Sequence, residues 1–353
     1  MKKSILFELK RIALPLCLFT AIATALYAAV ALTTDYIGSN FYSPEHAINT
    51  LTYIPAIILC ILCVVTPALQ FSYRMNKRST DLWYALPIRR KNLLFVRFLC
   101  GFVLILIPYT VSYFLGFTII ACSENLFDLV WYVPLYFASL PAALCLFGIN
   151  SFCFTRANTV FDGVLFMIAL NVAPFMPYLF LYNNFHRYLP ALARNSLNYL
   201  PIGAPIQIFT LFDTLILGAT AHVSDNQNLI LSCSICAAMS AAAYFGLFYT
   251  ADKHKAENAG QISDSWFGYK ILIPWYLFFS IADASSPVFL FFDSIGISLV
   301  QVLLIFVCAL IAYFVYRRSF LLKKSDWLCL LLTFAASILC LFLLQNVFLP
   351  MLS

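Results

Sequence analysis

Two cysteine pairs in this 353-residue chain have the spacing of a redox or metal site, Cys60-x-x-Cys63 and Cys233-x-x-Cys236. A zinc site would need two further ligands, and a reactive thiolate needs a cation or a helix N-terminus beside it. Neither pair has a histidine or carboxylate nearby in sequence, and both fall within long apolar runs. A cysteine buried there acts as a small hydrophobe, so no metal site and no disulfide framework follow. The histidines His46, His186, His222 and His254 are scattered and form no H-x-x-x-H. No glycine is followed by lysine, which removes the phosphate-cradling loop G-x-x-x-x-G-K-[ST], and no G-x-S-x-G occurs. Two acids within apolar runs remain as candidate cavity or interface carboxylates, because intramembrane charge is functional by default. Asp162 enters its run at the second or third residue, where a first-turn carboxylate suits the helix dipole. Asp283 lies beside Ser285 and Ser286 and reads either as a helix-end cap or as part of a cavity lining. No catalytic, cofactor or metal constellation emerges, and the expectation is a chain that is not itself an enzyme.

The elements that hold these residues are membrane helices. The chain is 63% hydrophobic and 10% charged, with a mean hydropathy of +0.90. Soluble domains are about one quarter charged, so soluble and disordered classes are excluded. Spanning the hydrocarbon core takes about 20 apolar residues. Runs of that kind cover 12–32, 51–71, 98–120, 129–149, 160–181, 229–249, 271–291, 295–316 and 327–348. The expected fold is all-α: a single polytopic membrane bundle over 1–353 with about nine spans. With the N-terminus inside, nineteen of the 21 Lys and Arg residues fall in inner segments, leaving Arg187 and Arg194 outside. That split is what the positive-inside rule demands. The net charge of +6 is therefore topological, and no nucleic-acid partner is implied.

Three segments depart from plain span and turn. Residues 1–11 place Ile5, Leu6 and Leu9 against Lys2, Lys3 and Lys10, the pattern of an interfacial elbow helix. The first apolar run is too long for a signal-peptide core and is expected to stay in the membrane. The outer segment 182–228 is Pro-rich and then apolar. It reads as an interfacial helix, a re-entrant hairpin or a loosely ordered loop. Asp283, Ser285, Ser286 and Pro287 interrupt the seventh run, which is expected to be broken or partly re-entrant.

The inner loop 73–92 carries the most information. Ser79 and Thr80 read as N-cap residues, Asp81 as a first-turn acid, and Pro87 as the stop. A short helix results, carrying Leu82, Trp83, Tyr84, Leu86 and Ile88 between basic flanks that include Arg89 and Arg90. Either a partner covers these side chains, or they dip into the membrane interface as an aromatic belt.

The stretch Arg78-Ser-x-Asp-Leu-x-Tyr-x-Leu-Pro-Ile-x-Arg-x-x-Leu, leading into a helix with Arg97 and Gly101, resembles the inner loop of Gram-positive permease subunits of type-2 ATP-binding-cassette exporters. Lys255-Ala-Glu-Asn-Ala-Gly260 and Tyr316-Arg-Arg-Ser-Phe320 are similar to later stretches of that family. The resemblance covers most of the chain. It implies a coupling helix that docks on a separate cytosolic ATPase through Asp81, Leu82, Tyr84, Leu86, Pro87, Ile88, Arg89 and Arg90. It also implies a homodimer or heterodimer of permeases in the bacterial cytoplasmic membrane, exporting an amphipathic peptide, antibiotic or lipid-like molecule, with no cofactor of its own. An ion-coupled carrier would need more buried charge at mid-membrane than the sequence supplies. A non-transporting sensor or assembly protein remains an alternative.

Overall fold

A computed structural model describes residues 2–38, 44–85, 88–122, 132–173, 175–185, 226–251, 256–283 and 295–343. Among these residues the chain is helical throughout, with no strand. The helices are α1 (Lys2–Gly38), α2 (Pro44–Phe71), α3 (Lys77–Tyr84), α4 (Arg90–Cys122), α5 (Tyr132–Thr155), α6 (Val160–Val172), α7 (Phe175–Phe185), α8 (Asn226–Tyr249), α9 (Tyr269–Asp283), α10 (Ile295–Arg317) and α11 (Lys324–Leu343). Four apolar stretches among the described residues are long enough to cross a membrane: Ile5–Thr33, Ile54–Arg74, Arg90–Cys122 and Val300–Arg317. The chain is a membrane protein by that measure.

Among the described residues every expected run carries helix, with two notable differences. The segment expected as a separate elbow is continuous with the first run, since α1 extends unbroken from Lys2 to Gly38. Nothing in 1–14 breaks a helix, and Pro15 is carried inside it. The fifth run is two helices rather than one. α6 ends with Ala173 as its cap, and the following Pro174 can donate no backbone hydrogen bond. The expected interruption of the seventh run, and most of 182–228, lie outside the described residues. α9 ends at Asp283.

The chain forms two compact units. Unit 1 comprises 1–155 and 205–259. In it α1 packs along α4, α2 lies against α4 and α5, and α8 lies against α5. Near the charge-rich end, Ile12 meets Val96, Cys100 and Leu104, flanked by Ile5, Leu16 and Phe19. Further along, Gly116 lets α1 approach so closely that a Cβ there would come within 2.0 Å of the Tyr27 ring. Tyr27 in turn hydrogen-bonds the hydroxyl of Tyr132, and Tyr113 donates to the Tyr132 carbonyl at 2.7 Å. Small residues and interhelical hydrogen bonds do this work because hydrocarbon offers no hydrophobic drive between helices.

Proline inside a helix frees the carbonyl four residues earlier. Pro67 in α2 frees that of Cys63, and the fully buried Asn150 of α5 donates its amide to it at 3.1 Å. Unit 2 comprises 156–204 and 260–353, with α9 packed on α7, α10 and α11. There the Trp275 indole donates to the Ala173 carbonyl at 2.9 Å, at the break between α6 and α7, where the Met176 N–H also reaches it at 3.4 Å.

The Asn150 bond is testable by a double-mutant cycle. Asn150→Leu leaves the Cys63 carbonyl orphaned and should destabilise the purified protein by about 1–2 kcal/mol. Pro67→Ala restores a backbone donor, so the double variant should lose less than the two single losses combined. Thermal unfolding in detergent reads the coupling, and strict additivity would refute it.

Candidate functional site

The candidate docking loop begins where α2 ends. A 3-10 turn, Ser72–Arg74, leads to Asn76, whose side chain accepts from the Arg78 N–H at 3.2 Å and caps α3. This corrects the assignment of Ser79 and Thr80 as caps, and Asp81 does not lie in the first turn. Both hydroxyls sit inside the helix and donate backwards, Ser79 at 2.8 Å and Thr80 at 2.9 Å to the Tyr73 carbonyl. They also reach the Asn76 carbonyl, at 2.9 and 2.8 Å. The effect is to fold α3 back onto the turn. α3 ends at Tyr84 with Ala85 as its cap. Leu86 and Pro87 lie outside the described residues.

α3 has two faces. Thr80 is fully buried and Trp83 turns inward, while Asp81, Leu82 and Ala85 face out, with Leu82 65% exposed. Ile88, Arg89 and Arg90 are exposed beyond the helix. Tyr84 is half-buried, with the Arg90 guanidinium 4.3 Å from its ring centre. Trp83, expected among the exposed aromatics, is instead an anchor. It packs near Phe7 and Tyr73, each at 6.2 Å between ring centres.

What Trp83 anchors to was not read from the sequence. The Arg97 guanidinium lies 4.1 Å from the Trp83 ring centre and 3.7 Å from that of Tyr73. Arg97 is fully buried and meets Glu8, itself 1% exposed, at 3.3 Å. Arg11 closes on the other Glu8 oxygen at 2.8 Å. Arg97 also donates to the Gln70 backbone carbonyl at 3.0 Å, and Arg11 reaches the Gln70 side chain at 3.3 Å. The Gln70 carbonyl belongs to the last turn of α2, where carbonyls lack helical donors and a cation suits the dipole. One buried knot therefore joins the feet of α1, α2 and α4 to the inner face of α3.

In unit 2, Asp162 forms a second buried knot. Thr159 caps α6 by accepting from the Asp162 N–H at 3.3 Å. The carboxylate accepts from Ser263 at 2.6 Å and Tyr269 at 2.7 Å, with Arg318 at 3.5 Å. Asn158 grips the same loop, its N–H donating to Ser263 at 2.9 Å and its carbonyl accepting from the Gly260 N–H at 2.8 Å. Gly260 has φ +76°, where a side chain would strain the backbone. Arg318, at φ 51°, ends α10 in the same left-handed region and reaches the Gly260 carbonyl at 3.2 Å. Asp264 takes a hydrogen bond from Tyr316 and pairs with Lys270 at 2.9 Å. The Lys270 contact, then Tyr316, holds its carboxyl below the usual aspartate value. Arg317 grips Asp326 with two bonds of 2.6 Å. Asp162 is thus a helix-start carboxylate that fixes a loop. Asp283 is the half-buried last residue of α9.

No family model, curated protein or solved structure matches this chain. Among the described residues no group of three or more His, Cys, Asp or Glu side chains could hold a metal ion, and Cys60 and Cys63 are free thiols.

Two outcomes follow. Glu8→Ala leaves Arg97 buried without its acid and should cost about 3–5 kcal/mol. Replacing both by leucine should recover most of that loss, as read by unfolding in detergent. Equal losses would show that the pair carries no coupling. For Asp264, a depressed value means the contact stabilises above the ordinary carboxylate range and is lost as pH falls through the lowered one. Amide exchange of 261–268 should accordingly rise only below about pH 4. Asp264→Asn should abolish that dependence, and an unchanged profile would refute it.

Proposed function

We propose that the chain is the membrane-spanning subunit of an ATP-driven exporter, a permease of the type-2 ATP-binding-cassette kind in a bacterial cytoplasmic membrane. Its N-terminus is inside, it has about nine spans, and a separate cytosolic ATPase supplies the energy. The observation that carries the reading is α3: a short helix presenting Asp81 and Leu82 outward while Trp83 is locked into the knot at the feet of three longer helices. The resemblance of 73–92 to the family's coupling loop points the same way, and the charge bias of the loops supports the orientation.

In this reading the ATPase grips Asp81, Leu82, Ile88 and Arg89, with Arg90 held against Tyr84 as part of the rim. ATP binding favours one ATPase arrangement over another, and only such a difference in affinity can shift the permease between states. Displacement of α3 reaches α1 and α4 directly, because Trp83 rests on Arg97 and Arg97 on Glu8. Residues 2–11 serve as the inner-face start of α1, its exposed Leu6, Phe7 and Leu9 meeting the membrane interface. A second permease, identical or similar, completes the path for an amphipathic cargo.

The test is co-purification with the ATPase and transport-coupled hydrolysis. Truncating a central apolar anchor typically costs about 2 kcal/mol or more, so Leu82→Ala should weaken association roughly thirtyfold without reducing the protein in the membrane. Arg89→Ala should do less, and chiefly at low salt. Unchanged association for Leu82→Ala together with Ile88→Ala would refute the docking assignment, as would ATP hydrolysis by the chain alone.

A further inference from the structure

We propose that unit 2 binds one phospholipid of the inner leaflet with an anionic headgroup, one acyl chain lying in a groove between α6, α9 and α10. The orientation is that of the proposed function, but the ATPase plays no part in the inference. The groove has a volume of about 390 Å3. It exists because Ala169, Cys308, Ala309 and Ala312 stand where larger side chains would close it. Two tyrosines in its wall have their hydroxyl protons already committed. Tyr269 donates to Asp162, and Tyr276 to the Ala169 carbonyl, each at 2.7 Å. The wall therefore asks for hydrocarbon.

The groove's length and position specify the hydrocarbon. It runs from Tyr269 to Ser280 along α9 and from Val315 back to Leu304 along α10. At about 1.5 Å per residue that is about 17 Å, close to half of a hydrocarbon core about 30 Å thick. Leu304 is 59% and Val315 40% exposed, so the groove opens sideways to the surroundings of the helices rather than into the unit. At its charge-rich end stand Lys270, next to Tyr269, and Arg318, three residues beyond Val315, each 45% exposed at the side chain. An ammonium has three donors and a guanidinium five. Their contacts with Asp264, Asp162 and the Gly260 carbonyl leave capacity for a phosphate. The exposed Trp266, Phe267, Phe320 and Leu321 of the adjoining loops fit the depth at which headgroups lie.

The full-length chain is reconstituted in nanodiscs containing phosphatidylglycerol or phosphatidylcholine with a photoactivatable acyl chain, and labelled peptides are mapped. Labelling of 269–280 and 304–315 should favour phosphatidylglycerol about fivefold. Ala309→Phe fills the groove and should abolish the label. Leu304→Trp closes its mouth from an exposed position that the fold does not depend on, and should do the same. Lys270→Gln with Arg318→Gln should equalise the two lipids while labelling persists. Equal labelling of the unaltered chain by both lipids, labelling indifferent to Leu304→Trp and Ala309→Phe, or cross-linking of the groove to a second copy would overturn the proposal. The assay contains no ATPase, so failure of the docking assignment would leave its outcome unaffected.

Discussion

The contact between Glu8 and Arg97 constrains everything at the foot of unit 1. Each group taken alone would be expensive to bury, and each makes the other tolerable. Once both are buried, α1 and α4 have one register. A slip by a helical turn, about 5.4 Å, would leave the buried Arg97 without its acid, since Arg11 on the same helix would move with Glu8. The same guanidinium caps the end of α2 at the Gln70 carbonyl and presents its face to Tyr73 and Trp83. Helix α3 is therefore positioned by a charge it does not itself carry. Its own contribution is to turn back onto the Tyr73 carbonyl through Ser79 and Thr80, which brings Trp83 within reach of Arg97.

A second rule organises the apolar region. Water is absent there, so every carbonyl freed by a proline must find a donor within the protein. Asn150 answers Pro67, and Trp275 serves the Ala173 carbonyl at the break between α6 and α7. Each answer comes from another helix, so a local break in one ladder becomes a tie between two helices. The tyrosines follow the same economy: Tyr27, Tyr113 and Tyr132 bring aromatic bulk to the α1, α4 and α5 contact and spend their hydroxyls on one another and on backbone.

How much of this was legible in the sequence depends on the kind of signal. The helical runs were plain, because about 20 apolar residues in succession leave few alternatives. The break after α6 was signalled by Pro174 and Pro177 but is hidden in an otherwise uniform apolar run. Asp162 was correctly placed in a first helical turn. Its partners Ser263, Tyr269 and Arg318 are about 100 residues or more away in sequence, and no local pattern announces them. Glu8 and Arg97 had a readable signal that charge counting obscured. Glu8 stands in helical register with Ile5 and Ile12, and Arg97 with Leu93, Leu94 and Cys100, all on buried or half-buried faces. A charge on an apolar stripe requires a partner. Counting Arg97 as a topology marker and passing over Glu8 concealed that requirement. The side of α3 that faces outward was not legible either, since alternation alone places Trp83 and Leu82 on neighbouring arcs without saying which is covered.

Both units place a buried carboxylate where a loop meets helices that expose long apolar faces, as α1 and α10 do at Leu14, Leu18, Ile22 and at Leu303, Leu304, Val307. Between such helices, apolar contact discriminates poorly. In lipid, one leucine against another is worth little more than a leucine against an acyl chain, and sliding by a turn exchanges like for like. A charge pair does not slide, because an offset of one turn removes the attraction that offsets the burial of its charges. The ionic knots at Glu8 and Asp162 therefore act less as sources of net stability than as devices of register, the use for which buried ionic groups are best attested. Register is what the proposed docking at α3 would need. In that proposal, a force applied to Leu82 would reach α4 through the contact of Trp83 with Arg97.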